Sequence, residues 1–246
     1  METRCTRTRN EAAPRLRSEV ARGIVGALPV LAAVIAYGLV LGAQAVQKGL
    51  HFLEVPLMTG SNYAGGSEFA AIGLWASPPP VLLIVGITFL INSRHLLMGA
   101  VLTPFIRHLP RWKALSVLFF MSDESWALGY ADTLRRAGTG QRPPFSLGFY
   151  VGCAGVIYLG WLGSTTLGAA IGPHLGDVEA YGFDMAFPAV FLVIVAGMWK
   201  GYVAALPWLV SLAVAVLIFL LVPGAWFVVA GTAAGLGTAY CRAKPR

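Results

Sequence analysis

The sequence is poor in charge: Asp, Glu, Lys and Arg make up 12% of its 246 residues, about half the share of an ordinary soluble domain. With 57% of the residues hydrophobic, this shortage excludes a water-soluble fold. Cysteine is equally sparse. Cys5, Cys153 and Cys241 are far apart, without metal-ligand spacing or a disulfide framework. The histidines at 51, 95, 108 and 174 are too scattered for a zinc cluster, so neither metal nor cofactor is expected. There is no GxxxxGK[ST] phosphate loop, which excludes nucleotide-driven pumping by this chain alone. There is also no GxGD-type aspartyl pattern and no nucleophile beside a histidine, so the sequence gives no support to an enzyme. The net charge of +7 sits outside the apolar blocks and lacks the interleaved aromatics of a nucleic-acid groove. No long linker separates a second domain.

What the sequence does have is apolar blocks of about 20 residues, the length a helix needs to cross about 30 Å of hydrocarbon. They run over 23–46, 57–76, 81–102, 114–134, 146–171, 184–199, 203–222 and 224–240. The turns between them are marked by Pro78 to Pro80, Pro104, Pro110, Pro143, Pro144, Pro173, Pro223 and Gly224. The fold class is therefore an all-α polytopic integral membrane protein of about eight hydrophobic segments. Three parts are expected: a basic segment 1–22, a transmembrane transport domain 23–240 and a tail 241–246. The stretch Gly23 to Gly42 ends near the A-x-A-like Ala43, Gln44, Ala45. It is longer than a signal-peptide h-region of roughly 7 to 15 residues and reads as a retained first span.

Arg4, Arg7, Arg9, Arg15, Arg17 and Arg22 precede the first block, and Arg242, Lys244 and Arg246 follow the last, so both ends read as cytoplasmic. If all eight segments cross, Arg135, Arg136, Arg142 and Lys200 fall inside and Asp177 and Glu179 outside, as the positive-inside rule prefers. Arg107, Arg111 and Lys113 then fall on the wrong side. That conflict disappears if 57–76 and 114–134 each enter and leave on the same face, giving six full spans plus two re-entrant or broken segments. The first of these carries Thr59 to Asn62 and Gly65 to Ser67, too small and flexible a run for an uninterrupted span.

The same two segments hold acids deep in apolar sequence. Glu68 lies about 16 Å along its segment, near the midplane, where a charge costs roughly 2.5 to 3.5 kcal/mol on insertion scales. It must be protonated, paired or wetted by a cavity, and a purely structural role remains open beside a transport role. Arg94 cannot shed its proton and needs an anionic partner or a snorkelling route, its fork suiting a carboxylate of the protein or of a bound amino acid. Asp123 and Glu124 point about 100° apart on a helix, so one is expected to face a cavity or Arg94 and the other to cap or hydrogen-bond locally. His95 has the chemistry of a proton relay but reads more simply as a hydrogen-bonded structural group. Asp184 looks like a helix N-cap, and Trp112, Trp199, Trp208 and Trp226 fit an aromatic belt. A passive channel and a non-catalytic scaffold stay as rivals to a transporter.

At these residues the chain resembles the AzlC (YgaZ-like) family, the large subunit of bacterial branched-chain amino-acid exporters. The matching stretches are Ser61 to Phe69 (SNYAGGSEF), Ile91 to Pro104 (INSRHLLMGAVLTP), Phe120 to Ala127 (FMSDESWA) and Gly168 to Phe191 (GAAIGPHLGDVEAYGFDMAFPAVF). The resemblance implies a permease in the bacterial inner membrane that exports valine, leucine, isoleucine and methionine, driven by an ion gradient and working with a small AzlD-type membrane subunit. Where the family's second-segment motif usually ends in Gln, this chain has the titratable Glu68. Combining residues and resemblance, Ser61, Asn62, Gly65, Gly66, Asn92 and Arg94 are the candidate substrate-binding residues. Glu68, Asp123 and Glu124 are the candidates for ion coupling.

Overall fold

The computed structural model describes residues 16–174, 201–222 and 226–242. Their regular structure is helical, without a strand among the described residues. The segment expected at 184–199, with Asp184, lies outside them, as do Asp177, Glu179, Lys200, Pro223 and Gly224. Two compact units divide the chain, one formed by Met1–Ala33 with Met98–Gly160, the other by Val34–Leu97 with Trp161–Arg246.

Helix α1 (Leu16–Gln47) begins inside the stretch read as a basic leader. Its 32 residues make it about 48 Å long, well beyond the hydrocarbon thickness. Helix α8 (Leu147–Ile171) continues into a 3₁₀ turn at Gly172–His174. Within the first unit α8 packs on α1 with Gly148 against Leu16 and Glu19, Gly152 against Val20, and Gly23 against Phe149 and Cys153. Within the second, Ser164 and Thr165 meet Gly38, Gly168 meets Leu39, and Gly172 meets Ala43. Numbers rise together on both helices in each unit, so α1 and α8 run parallel. The approach is backbone to backbone: a β-carbon at Gly152 or Gly168 would strike the carbonyl oxygen of Val20 or Leu39. Without a hydrophobic drive between helices in lipid, such close contact is what holds them together.

Between α1 and α8 lie α2 (Glu54–Asn62), α3 (Gly65–Gly73), α4 (Val81–Asn92), α5 (Arg94–Ile106), α6 (Arg111–Phe119) and α7 (Asp123–Gly138). Among the described residues Leu16–Gln47, Val81–Ile106, Leu147–His174 and Tyr202–Leu221 are long and apolar enough to cross a bilayer. The helices α2, α3 and α6, at 9 residues each, reach only about 14 Å apiece. Because α1 and α8 are parallel, the chain between them must return to its starting face, which takes an odd number of crossings. With α4–α5 crossing once, the pairs α2–α3 and α6–α7 either both cross or both turn back.

Both irregular segments are broken as expected. Tyr63 in the left-handed region (φ 46°) and Ala64 (φ −147°) separate α2 from α3, and Phe120 to Ser122 separate α6 from α7. Segment 81–102, read as one span, lies in the spanning helix Val81–Ile106, with a single turn residue, Ser93, between α4 and α5, whose hydroxyl turns back to the Leu90 carbonyl at 2.7 Å and so competes with the helical ladder. Pro104, read as a turn residue, lies inside α5 instead; a span tolerates proline when neighbours satisfy the freed backbone.

Past the undescribed stretch, α9 (Tyr202–Leu221) and α10 (Trp226–Arg242) form a hairpin. Gly231 and Gly235 of α10 lie against Ser211, Ala215 and the Pro207 carbonyl of α9, so the pairing is antiparallel and again closed by small residues.

Candidate functional site

In the second unit the two interruptions, α2/α3 and α4/α5, are joined by hydrogen bonds. Asn92, the last residue of α4, donates from Nδ2 to Asn62 Oδ1 at 3.1 Å. Asn62, the last residue of α2, donates in turn to Ser67 Oγ at 3.0 Å and to Glu68 Oε1 at 3.2 Å. The Asn92 carbonyl oxygen Oδ1 is buried without a hydrogen-bond partner among the described residues.

Glu68 is 1% exposed in the first turn of α3. Its Oε1 also accepts the Ala64 backbone N–H at 3.0 Å, and its Oε2 accepts the indole N–H of Trp161 on α8 at 3.1 Å. All three donors are neutral, and among the described residues no ion pair reaches this carboxyl group. Placement at the start of a helix favours a negative charge there, while burial away from water opposes it.

Arg94 opens α5 and brings Nη2 to 3.6 Å from where a β-carbon of Gly66 would sit. Gly65 lies beneath Trp161, whose ring is 3.0 Å from its own virtual β-carbon. Larger residues at either position would push on Arg94 or Trp161. The Ser67 and Glu68 amides in this first turn donate to the Ala64 carbonyl at 2.9 and 3.1 Å. Tyr37 stacks on Phe69 at 4.3 Å between centroids and tilts against Trp161 at 5.8 Å, giving the cluster an aromatic wall. Behind it Thr59 and Thr165, both fully buried, share a hydrogen bond of 3.0 Å.

Of the nine residues singled out in the sequence, Asn62, Gly65, Gly66, Glu68, Asn92 and Arg94 come together here. Ser61 does not: it is exposed and its hydroxyl returns to the Leu57 carbonyl of its own helix at 2.6 Å. His95 is likewise local, with Nδ1 3.1 Å from the Asn92 carbonyl. Asp123 and Glu124 belong to the other unit, in the first turn of α7. Of the two local roles expected for one of them, capping falls instead to Ser122, which is the N-cap and exchanges hydrogen bonds with Ser125. The extended backbone of Ser122 and its short hydroxyl suit that position, leaving the acids to complement the helix dipole.

Sequence reasoning missed Trp161, for which the only signal was a tryptophan in mid-segment, away from the interfacial belt. It also missed an ionic cluster in the first unit. Arg22 of α1 binds Asp132 at 2.6 Å and Glu19 at 2.7 Å, Arg135 binds Asp132 at 2.7 Å, and Arg136 and Ser146 bind Glu19 at 3.0 and 2.5 Å. The Arg22 guanidinium also lies over the Phe149 ring, 4.4 Å from its centroid. Asp132 is 6% exposed, so Asp132→Ala should cost about 1 to 3 kcal/mol by stranding Arg22. Arg135→Ala, at the exposed end of the cluster, should cost under about 1 kcal/mol. Thermal unfolding in detergent measures both, and equal losses would refute the ranking.

A family model described as AzlC protein matches residues 29–175, a range that contains every residue of the cluster around Glu68. The chain belongs to the AzlC family. A Bacillus subtilis relative named branched-chain amino acid transport protein AzlC is 25% identical over 222 residues, 89% of this chain and 83% of its own length. An Archaeoglobus fulgidus relative named uncharacterized membrane protein is 27% identical over 182 residues, 73% of this chain and 76% of its own. No solved structure matches. AzlC membership and the apolar helices together make this a multi-pass membrane protein with a transport role.

Proposed function

We propose that the chain exports branched-chain amino acids, valine, leucine and isoleucine, with methionine as a further substrate, by ion-coupled secondary transport across the bacterial inner membrane. The observation that carries this reading is the junction of the α2/α3 break with the α4/α5 turn, where Asn62 links the buried Glu68 to Asn92 and Arg94 lies beside Gly66. Interrupted helices at membrane depth are tolerated where they serve a cavity or a binding site.

In this reading the Arg94 fork, beside the backbone of Gly66, holds the substrate carboxylate. Asn62 and Asn92 supply carbonyl oxygens to its ammonium group, and Tyr37, Phe69 and Trp161 border its apolar side chain. Ser61 joins only if α2 rotates during transport. Glu68 carries the coupling proton, with Asp123 and Glu124 as further candidates in the other unit. The transport domain is 23–240, both termini are cytoplasmic, and a small AzlD-type membrane subunit completes the exporter. The Bacillus relative's name supports the substrate class.

The test is efflux from cells lacking their own exporter and loaded with valine-, isoleucine- or methionine-containing dipeptides, with and without this chain and its partner subunit. Faster efflux that an uncoupler abolishes supports the reading. Uncoupler-resistant efflux turns it into a channel, and unchanged flux with the protein in the membrane contradicts it. Arg94→Lys is expected to raise the KM for valine about 10- to 100-fold, because a point ammonium replaces a bidentate fork. An unchanged KM would remove Arg94 from the carboxylate site.

A further inference from the structure

The ionic cluster of the first unit has a shape that ion pairing alone does not explain. Glu19, Arg22, Arg135, Arg136, Thr139 and Gln141 line a recess of about 320 Å³. Its walls carry three guanidinium groups and one carboxylate. Asp132 lies behind them as a second acid, so the local charge remains positive. Basic residues in the last turn of α7 are ordinary partners of the helix dipole. Here, however, the last-turn carbonyls already accept backbone donors: Arg135 from Thr139 at 3.2 Å, Arg136 from Gln141 at 3.0 Å and Ala137 from Gly140 at 3.1 Å.

The donors are not used up in the same way. Arg22 directs both terminal nitrogens at Asp132 and Glu19. Arg136, whose side chain is 15% exposed, uses Nη1 on Glu19, while its Nε is buried without a hydrogen-bond partner among the described residues. Arg135 spends only Nη2, on Asp132, and its side chain is 67% exposed. Two adjacent forks, each tethered at one nitrogen by a nearly buried carboxylate, are thus held with most of their donors unused. A guanidinium with five donors in a fixed fork matches the oxygens of a phosphate group.

We propose that this recess is a phosphate-binding site, formed by Arg135 and Arg136 with Arg22 behind them. The phosphate comes either from an anionic lipid headgroup or from a free phosphate ion. Position favours the lipid. Glu19 and Arg22 belong to the first two turns of a helix about 48 Å long, so they project beyond the hydrocarbon to headgroup level. Basic pockets between transmembrane helices at that level bind lipid phosphates. The same two helices expose apolar residues, Val25 and Leu28 on α1 and Leu134 on α7, which acyl chains can cover.

The experiment uses the full chain purified in a neutral detergent and follows thermal unfolding while short-chain phosphatidylglycerol, short-chain phosphatidylcholine or inorganic phosphate is added. Ligand that binds only the folded state raises the midpoint in proportion to its affinity. The expected result is saturable stabilisation by phosphatidylglycerol and little by phosphatidylcholine. Its apparent affinity should weaken about tenfold in Arg136→Gln and also in Arg135→Gln, an exposed position where folding is safe. Lys113→Gln, away from the recess, should leave the affinity unchanged. Stabilisation by inorganic phosphate at equal concentration would assign the site to the free ion, and its absence to the lipid. Equal responses to phosphatidylglycerol and phosphatidylcholine with none to phosphate, or an unchanged response in Arg135→Gln and Arg136→Gln, would overturn the proposal.

Discussion

Glu68→Gln is expected to lose the response of amino-acid efflux to an imposed pH gradient, with a fall of about tenfold or more in the coupled rate. The carboxylate accepts hydrogen bonds from Asn62, Ala64 and Trp161, so every neighbour is a donor. A glutamine amide must turn its own NH₂ toward one of them. That leaves a donor facing a donor in a buried place, at a cost of about 1 to 3 kcal/mol, and it cannot exchange a proton at all. A variant that keeps full transport and an unchanged pH dependence would take Glu68 out of the proton path. Comparison with Trp161→Phe separates the two effects, because that change removes one hydrogen bond and keeps the titratable group.

Gly168→Leu should abolish folded protein in the membrane. The α-carbon of Gly168 sits against the backbone of Leu39, and even a β-carbon would strike the Leu39 carbonyl oxygen. Backbone cannot swing aside as a flexible side chain does, so α8 must leave α1, and with it the contacts from Gly38 to Ala43. Gly163→Leu is the matched control, since nothing lies within 4 Å of a β-carbon there. Fluorescence-detected size exclusion of tagged protein reads the outcome: a lost monodisperse peak for Gly168→Leu and a retained one for Gly163→Leu. Similar peaks for both would contradict the parallel packing of α1 on α8.

The membrane class and most helix positions were legible because lipid imposes a length: segment 146–171 is α8 to within a residue, and 203–222 matches α9. The break at Tyr63–Ala64 was legible for a related reason, since Ser61, Asn62, Gly65 and Gly66 in sequence cannot hold a lipid-exposed helix. Ser93 was harder. It sits in FLINSRHLLM, whose apolar flanks look continuous, and only the competing hydroxyl marks the interruption. Glu68 and the five residues grouped with it were identifiable as polar residues or glycines at depth. Their hydrogen-bond chain from Asn92 through Asn62 depends on how two separate helix ends meet, which spacing does not encode. Asp132 and Glu19 were passed over for the opposite reason. They lie near segment ends, where charge is ordinary, and only the packing of α1, α7 and α8 gathers them into one cluster.

The most direct test of the central claim is valine efflux from proteoliposomes holding the purified chain and its small partner subunit, with and without an imposed pH gradient. Gradient-accelerated efflux of valine is expected in the wild type, weakened by Arg94→Lys and unresponsive to the gradient in Glu68→Gln. Efflux that is indifferent to the gradient in the wild type, or the same in all three proteins, would contradict it.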